Sequence, residues 1–300
     1  MKLLAVLSFL QALVICGLIF LLAGCSLFLP PRPLASFAAT PTKGDAPLQV
    51  TLNPAVSKGA TEYVWTFGDG EEETRLEAVD IEHWYVRPGV YTCRLEVASA
   101  SGETASYEQD INTIDPGGAH VLSLEWDYGN QAFLREFEVP GWLYDFETRP
   151  REKGPLEVYI TDSYGYITAL SELIVAGDPY RAINNILYFV QAVIAYKADG
   201  PANYPQYPIE TLVKGTGDCE DTVILFISLL QSQGYEASIY YLDQNADGVV
   251  DHVMAMVPVD ALYVESCSEF WEKDGLYYAL AETTVDPERP YGYWPVGGYK

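Results

Sequence analysis

Positive charge is scarce in this chain: 17 Lys and Arg stand against 42 Asp and Glu, a formal net charge of −25 at pH 7. Phosphate backbones are held by clustered Lys and Arg, so no nucleic acid is expected as a partner. The acidic excess speaks for solubility and self-repulsion and identifies no substrate. Histidine is rarer still, at three residues, so chemistry that needs an imidazole has few places to sit. Apolar and aromatic residues, in contrast, are plentiful. A hydrophobic content of 49%, with six Trp and 23 Tyr, supplies real cores, gives 300 residues room for two domains and excludes a disordered chain.

The first residues do not read as fold. Lys2 precedes an apolar run from Leu3 to Leu22, which ends in Leu22, Ala23, Gly24 and Cys25. A small residue before cysteine permits cleavage of a lipoprotein signal peptide, after which Cys25 carries the acyl chains. An uncleaved anchor is the alternative, since about 20 apolar residues can span a bilayer. The LAGC sequence and the proline-rich LPPRPL behind it favour the lipoprotein. Residues 1–24 are thus expected to be signal peptide and 25–33 a tether, with the rest exported and fixed to a membrane through the Cys25 lipid. Cys16 leaves with the signal. Cys93, Cys219 and Cys267 remain, an odd set and a poor disulfide framework, so at least one thiol is expected to be free. Cys93 falls in an alternating strand, YTCRLEV, as a buried hydrophobe, and Cys267 has no motif around it.

From Leu34 to Ile114 the chain reads as short strands broken by turns, a small antiparallel sandwich. FAATPTKGDAPLQVTL, then WTFGDG, then HWYVRPGVYTCRLEV resembles a PKD domain, an immunoglobulin-like module of exported proteins. The resemblance covers residues 34–114 and implies a spacer or binding module without catalysis. It makes Trp65 a core residue, the Gly68, Asp69, Gly70 turn structural, and His83 a strand residue. The joint DPGG, Asp115 to Gly118, marks the boundary to a second domain at 115–300. Within it, the stretch from Val121 through Phe146, and LEVYITD after it, read as further strands of a β-rich extension over 119–175. A helical stripe then starts behind Asp178, with Pro179 in its first turn. Two prolines among Tyr204 to Pro208 indicate a rigid loop. The helix after Asp218 is apolar on nearly every face, and strands return after Gly234, so residues 176–300 read as an α+β core with a buried helix on a sheet.

The chemistry centres on KGTGDCEDTVILFISLLQSQGY, Lys214 to Tyr235. Capping rules put Asp218 at the helix N-cap with Asp221 reaching back, so Cys219 is the first helical residue. A sulfur there lies in the positive end of the helix dipole, which favours the nucleophilic thiolate. The base must be a histidine. His83 belongs to the first domain and His120 follows the joint, which leaves His252 at the start of the strand HVMAMV. Glu282, in the apolar YYALAETTV, is an acid that needs a partner and would orient the ring. YPIETLVKGTGDCEDTVILFISLLQSQGY with a histidine-led strand and LAETT is similar to the transglutaminase-like superfamily, which has a papain-like core. By position the resemblance makes Cys219 the nucleophile, His252 the general base and acid, and Glu282 the orienting carboxylate. It departs from the family in having Glu for the usual Asp, and in the residues that flank the histidine, Asp251 and Val253.

The expected protein is thus two-domain, an all-β immunoglobulin-like sandwich followed by an α+β papain-like, transglutaminase-like domain. Its expected activity is that of a membrane-anchored cysteine protease or amidase acting on a protein or peptide through an acyl-enzyme, with no cofactor required. A cross-linking transglutaminase and a noncatalytic adhesion or scaffolding lipoprotein are the alternatives. Asp243, Asn245, Asp247, Gly248 and Asp251 also match the opening of a calcium loop, although Met254 stands where a bidentate Glu belongs. A plain hairpin turn accounts for the same residues and is placed ahead of calcium.

Overall fold

A computed structural model describes residues 32–175, 177–198, 204–243, 248–259, 270–273 and 275–284. Cys25, Cys267, Asn245 and Asp247 therefore lie outside the described residues. The chain divides into two compact units, Met1–Ile114 and Asp115–Lys300. Among the described residues no helix is long and apolar enough to cross a membrane.

In the first unit, alternating side chains make two facing sheets. One is three-stranded, with β1 (Ala38–Thr40), β3 (Leu48–Asn53) and β6 (Ile81–Tyr85) in the order β1-β3-β6. The other has the order β2-β8-β7-β4-β5, from β2 (Lys43–Asp45), β4 (Glu62–Thr66), β5 (Glu72–Arg75), β7 (Gly89–Ala98) and β8 (Thr104–Ile114). Every second residue of each inner strand enters one core: Val50 and Leu52, Tyr63 and Trp65, and Cys93, Leu95 and Val97. Phe37 meets Trp65 edge to face at 5.0 Å. Short β2 and β5 carry no apolar alternation, which is why the sequence pattern does not show them. Gly68 is required where it stands, since its φ is +86° and a Cβ there would meet the Thr92 carbonyl oxygen at 2.7 Å. The turn it opens is held by His83, whose Nε2 lies 2.6 Å from Asp69 Oδ2 while its ring stacks on Phe67 at 3.9 Å.

The second unit opens with a hairpin, β9 (Ala119–Tyr128) and β10 (Gln131–Pro140), closed by Gly129 and Asn130, both at positive φ. Strands were expected to continue to residue 175, and they do not. GWLYDFE forms helix α1 (Gly141–Glu147), LEVY a 3₁₀ turn, and Tyr166–Ile174 helix α2. Trp142, Tyr144 and Phe146 alternate as in a strand while Trp142, Leu143 and Phe146 share a helical face, and Pro140 ends the ladder by bringing no N–H to it. Helix α3 (Pro179–Val193) follows, with Asp178 as N-cap accepting from the Arg181 N–H at 3.1 Å. The proline-rich loop leads first into a short helix, α4 (Pro208–Lys214), and only then to the cysteine helix α5 (Cys219–Ser232). The two-residue strand β11 (Ala195–Tyr196), after α3, pairs in parallel with β12 (Thr216–Gly217), which lies between α4 and α5. A four-stranded antiparallel sheet completes the unit in the order β13-β14-β16-β15, from β13 (Ser238–Leu242), β14 (His252–Val259), β15 (Phe270–Lys273) and β16 (Leu276–Ala281). Helix α5 packs among α2, α3, α4 and β14, and its residues from Asp221 to Leu230 are all buried. It is the axis of the domain, as its unbroken apolar surface requires.

Candidate active site

Helix α5 begins as its sequence dictates. Asp218 accepts from the backbone N–H of Glu220 at 3.0 Å and of Asp221 at 3.5 Å, and Asp221 Oδ2 accepts from the Asp218 N–H at 3.2 Å, a complete capping box. Asp218 and Asp221 are therefore capping groups. Cys219 is the first helical residue and is half-buried, with its thiol free. A half-buried thiol at a helix start keeps a path to solvent that Cys93, wholly buried in the sandwich, does not have. Burial pushes the Cys93 thiol up to about 11, which leaves it inert at neutral pH.

His252 opens β14, opposite Leu242 of β13. Its Nε2 lies 2.7 Å from Glu282 Oε2, and its ring also hydrogen-bonds the Cys219 side chain. With Nε2 engaged by the carboxylate, Nδ1 is the ring nitrogen left for a second partner. Burial works against a charged ring here, but the hydrogen bonds and negative charge of Cys219 and Glu282 outweigh it, and the imidazole is pushed up to about 10. The ring's place between sulfur and carboxylate favours its protonated form. Glu282 falls one residue past the end of β16 rather than inside a strand. That position frees its main chain from the ladder. Its side chain is only 11% exposed, and its second oxygen, Oε1, accepts from the Thr284 N–H at 2.9 Å and the Thr284 hydroxyl at 2.6 Å.

The structure brings Cys219, His252 and Glu282 together and adds residues that the sequence did not single out. Gln206 donates its backbone N–H to Asp221 Oδ1 at 2.7 Å and its side-chain amide to Asp221 Oδ2, tying the loop 204–207 to the start of α5. Arg151 holds that loop from the other side. Its guanidinium stacks on Tyr207 at 4.3 Å and Tyr204 at 4.6 Å, and donates to the Pro205 carbonyl at 3.1 Å and Glu210 Oε2 at 2.9 Å. Glu147 caps α4, accepting from the N–H groups of Ile209 at 2.9 Å and Glu210 at 3.2 Å. Burial pushes Glu147 and Asp221 each up to about 7, against the hydrogen bonds that favour their charged forms. The prolines and tyrosines of the loop were the one local signal for this support. Nothing in sequence spacing joins Arg151 or Glu147 to it.

The residues of the calcium motif form a turn where they are described. Asp243 Oδ2 accepts from the Gly248 N–H at 2.7 Å and the Asp251 N–H donates to the Leu242 carbonyl at 3.1 Å, which closes the hairpin. Among the described residues no group of three or more His, Cys, Asp or Glu could hold a metal ion. Asp69 and His83 are spent on the turn of the first unit, and His120 lies in β9 with its ring 4.6 Å from that of Tyr144.

Residues 30–114 match the PKD domain and residues 168–280 match the transglutaminase-like superfamily. A ribulokinase of Halalkalibacterium halodurans is 31% identical over 87 residues, which is 28% of this chain and 16% of that protein's length. Among solved structures, the PKD1 domain of Vibrio anguillarum Epp is 25% identical across 28% of this chain and 96% of its own, with a TM-score of 0.24. The PKD1 domain of the Vibrio cholerae metalloprotease PrtV is 24% identical across 28% of this chain and 98% of its own, with a TM-score of 0.23. A structure of carbohydrate-binding modules from the β-sandwich superfamily is 28% identical across 32% of this chain and 40% of its own, with a TM-score of 0.28.

Proposed function

From a chain that carries a PKD domain and, after it, a transglutaminase-like domain, we propose an exported cysteine hydrolase that cleaves amide bonds of a protein or peptide, anchored to a membrane through Cys25. The observation that carries the reading is the His252 imidazole, held between the Cys219 thiol and the Glu282 carboxylate. The Cys219 sulfur attacks the carbonyl carbon as thiolate and forms the C–S bond. The Glu220 and Asp221 N–H groups are committed to the Asp218 cap, so the oxyanion falls to the Cys219 N–H of the same helix start. His252 gives its Nδ1 proton to the leaving nitrogen as the C–N bond breaks, which leaves a thioester and a neutral ring. That ring then takes a proton from water, whose oxygen attacks the thioester and expels the thiolate. Glu282 keeps the ring oriented and balances its charge through both steps.

An amine in place of water would make the same thioester a cross-link. The PKD unit serves as a spacer between the lipid and the catalytic unit. The test is a profile of peptide and amine substrates against wild type and Cys219→Ala, alongside mass-spectrometric mapping of iodoacetamide labelling. Hydrolysis and the fast label should both vanish in the variant while its folding transition stays. Turnover that survives in Cys219→Ala, or fast labelling only at another cysteine, would sink the proposal.

A further inference from the structure

Glu282 is a triad acid on a longer side chain than aspartate, and a longer side chain has more rotamers to lose. The segment that carries it lies beyond the strand ladder, so something else must fix it. Three ties do so, two from neighbouring helices and one from the segment itself. Gln191 of α3 donates its side-chain amide to the Glu282 main-chain carbonyl at 2.7 Å. Thr283, wholly buried, shares a hydroxyl hydrogen bond of 2.8 Å with Thr222 of α5, one turn beyond Cys219. Thr284 fills Glu282 Oε1 with its N–H and hydroxyl, which leaves Oε2 for His252.

We propose that Thr284, Gln191 and the Thr222–Thr283 pair are positioning residues of this site, a clamp that locks the Glu282 carboxylate onto His252 and holds it in register with the cysteine helix. The inference rests on the triad reading and deepens it. Thr284 bears most of the weight: its hydroxyl contacts the carboxylate itself, and without it Oε1 would keep only the Thr284 N–H and Oε2 would be held less firmly on the ring. Thr222 links the acid to the nucleophile through side chains of one helix turn, since its hydroxyl also donates to the Asp218 carbonyl at 2.9 Å.

The test is the rate of Cys219 alkylation by iodoacetamide as a function of pH in the full exported chain, read by mass spectrometry, for wild type, Thr284→Val, Thr284→Ser and Gln191→Leu. Valine keeps the shape of threonine and removes the hydroxyl, and serine restores it. Loss of a hydrogen bond to a charged group should slow alkylation at neutral pH by roughly tenfold in Thr284→Val, with the alkaline limb moved to lower pH and both restored in Thr284→Ser. Gln191→Leu should move the limb in the same direction by less. A limb that stays in place or moves to higher pH in Thr284→Val, with Cys219 still reactive, would mean that the hydroxyl only tempers the carboxylate and would overturn the clamp. Wild-type Cys219 that alkylates no faster than an exposed free thiol would instead overturn the triad itself, which separates the two failures. A thermal melt of each variant sets aside any loss that comes from unfolding.

Discussion

Replacing Glu282 by glutamine removes one negative charge from the site and keeps the shape of the side chain. In the native protein the carboxylate lies 2.7 Å from His252 Nε2, with the two side chains 11% and 14% exposed. An opposite charge this close and this shielded shifts a partner's titration by roughly 1 to 3 pH units. The imidazole, pushed up to about 10 by Cys219 and Glu282 together against its burial, should therefore titrate lower by about that amount in Glu282→Gln, with the remaining elevation owed to Cys219. The assay is NMR titration of the His252 ring in selectively labelled protein. The sign extends to stability. A ring whose folded pKa lies above its unfolded value stabilises fully below about pH 6.5 and loses that contribution as pH rises through about 10. In Glu282→Gln the contribution should be smaller and its loss complete at lower pH. A His252 midpoint unchanged by the substitution would refute the argument, because the carboxylate would then not be what holds the imidazolium.

Two further outcomes follow, one from a buried acid and one from the acid that partners a buried histidine. Glu147 is held protonated up to about 7, above its usual 4.5, so its contribution to stability is full below about pH 4.5 and lost as pH rises towards 7. Glu147→Gln should flatten the fall of the thermal midpoint across that window, with the residual slope belonging to Asp221; an unchanged slope would contradict the assignment. In the sandwich, Asp69→Ala leaves His83 buried without its 2.6 Å partner and should cost about 1–3 kcal/mol in urea unfolding, while the Cys219 alkylation rate remains as in wild type. A loss below about 0.5 kcal/mol would show that the turn does not depend on the pair.

Most of what was legible in the sequence is local. Alternation over Leu48–Asn53 and Gly89–Ala98 fixed the sandwich, and WTFGDG with HWYV named its two halves before the Asp69–His83 contact joined them. Asp218, Cys219 and Asp221 wrote the start of α5 within four residues, and the structure forms the capping box they specify. The misread stretch, Gly141–Glu147 and Leu156–Tyr159, is one where short apolar runs satisfy two periods at once. The gathering of Cys219, His252 and Glu282 was reached through family resemblance and through the scarcity of histidine, not through spacing.

By itself, the sequence determined where the cysteine helix and the long strands of the sandwich start and which side chains are candidates for chemistry, because capping, alternation and residue type act within a few positions of the chain. Only the tertiary structure decided what holds the acid. Gln191, Thr222, Thr283 and Thr284 are ordinary polar residues in the sequence and become a clamp when α3, α5 and the end of β16 meet. The physical reason is that a buried polar atom must find a partner, and which partner it finds depends on packing between segments that the chain keeps far apart.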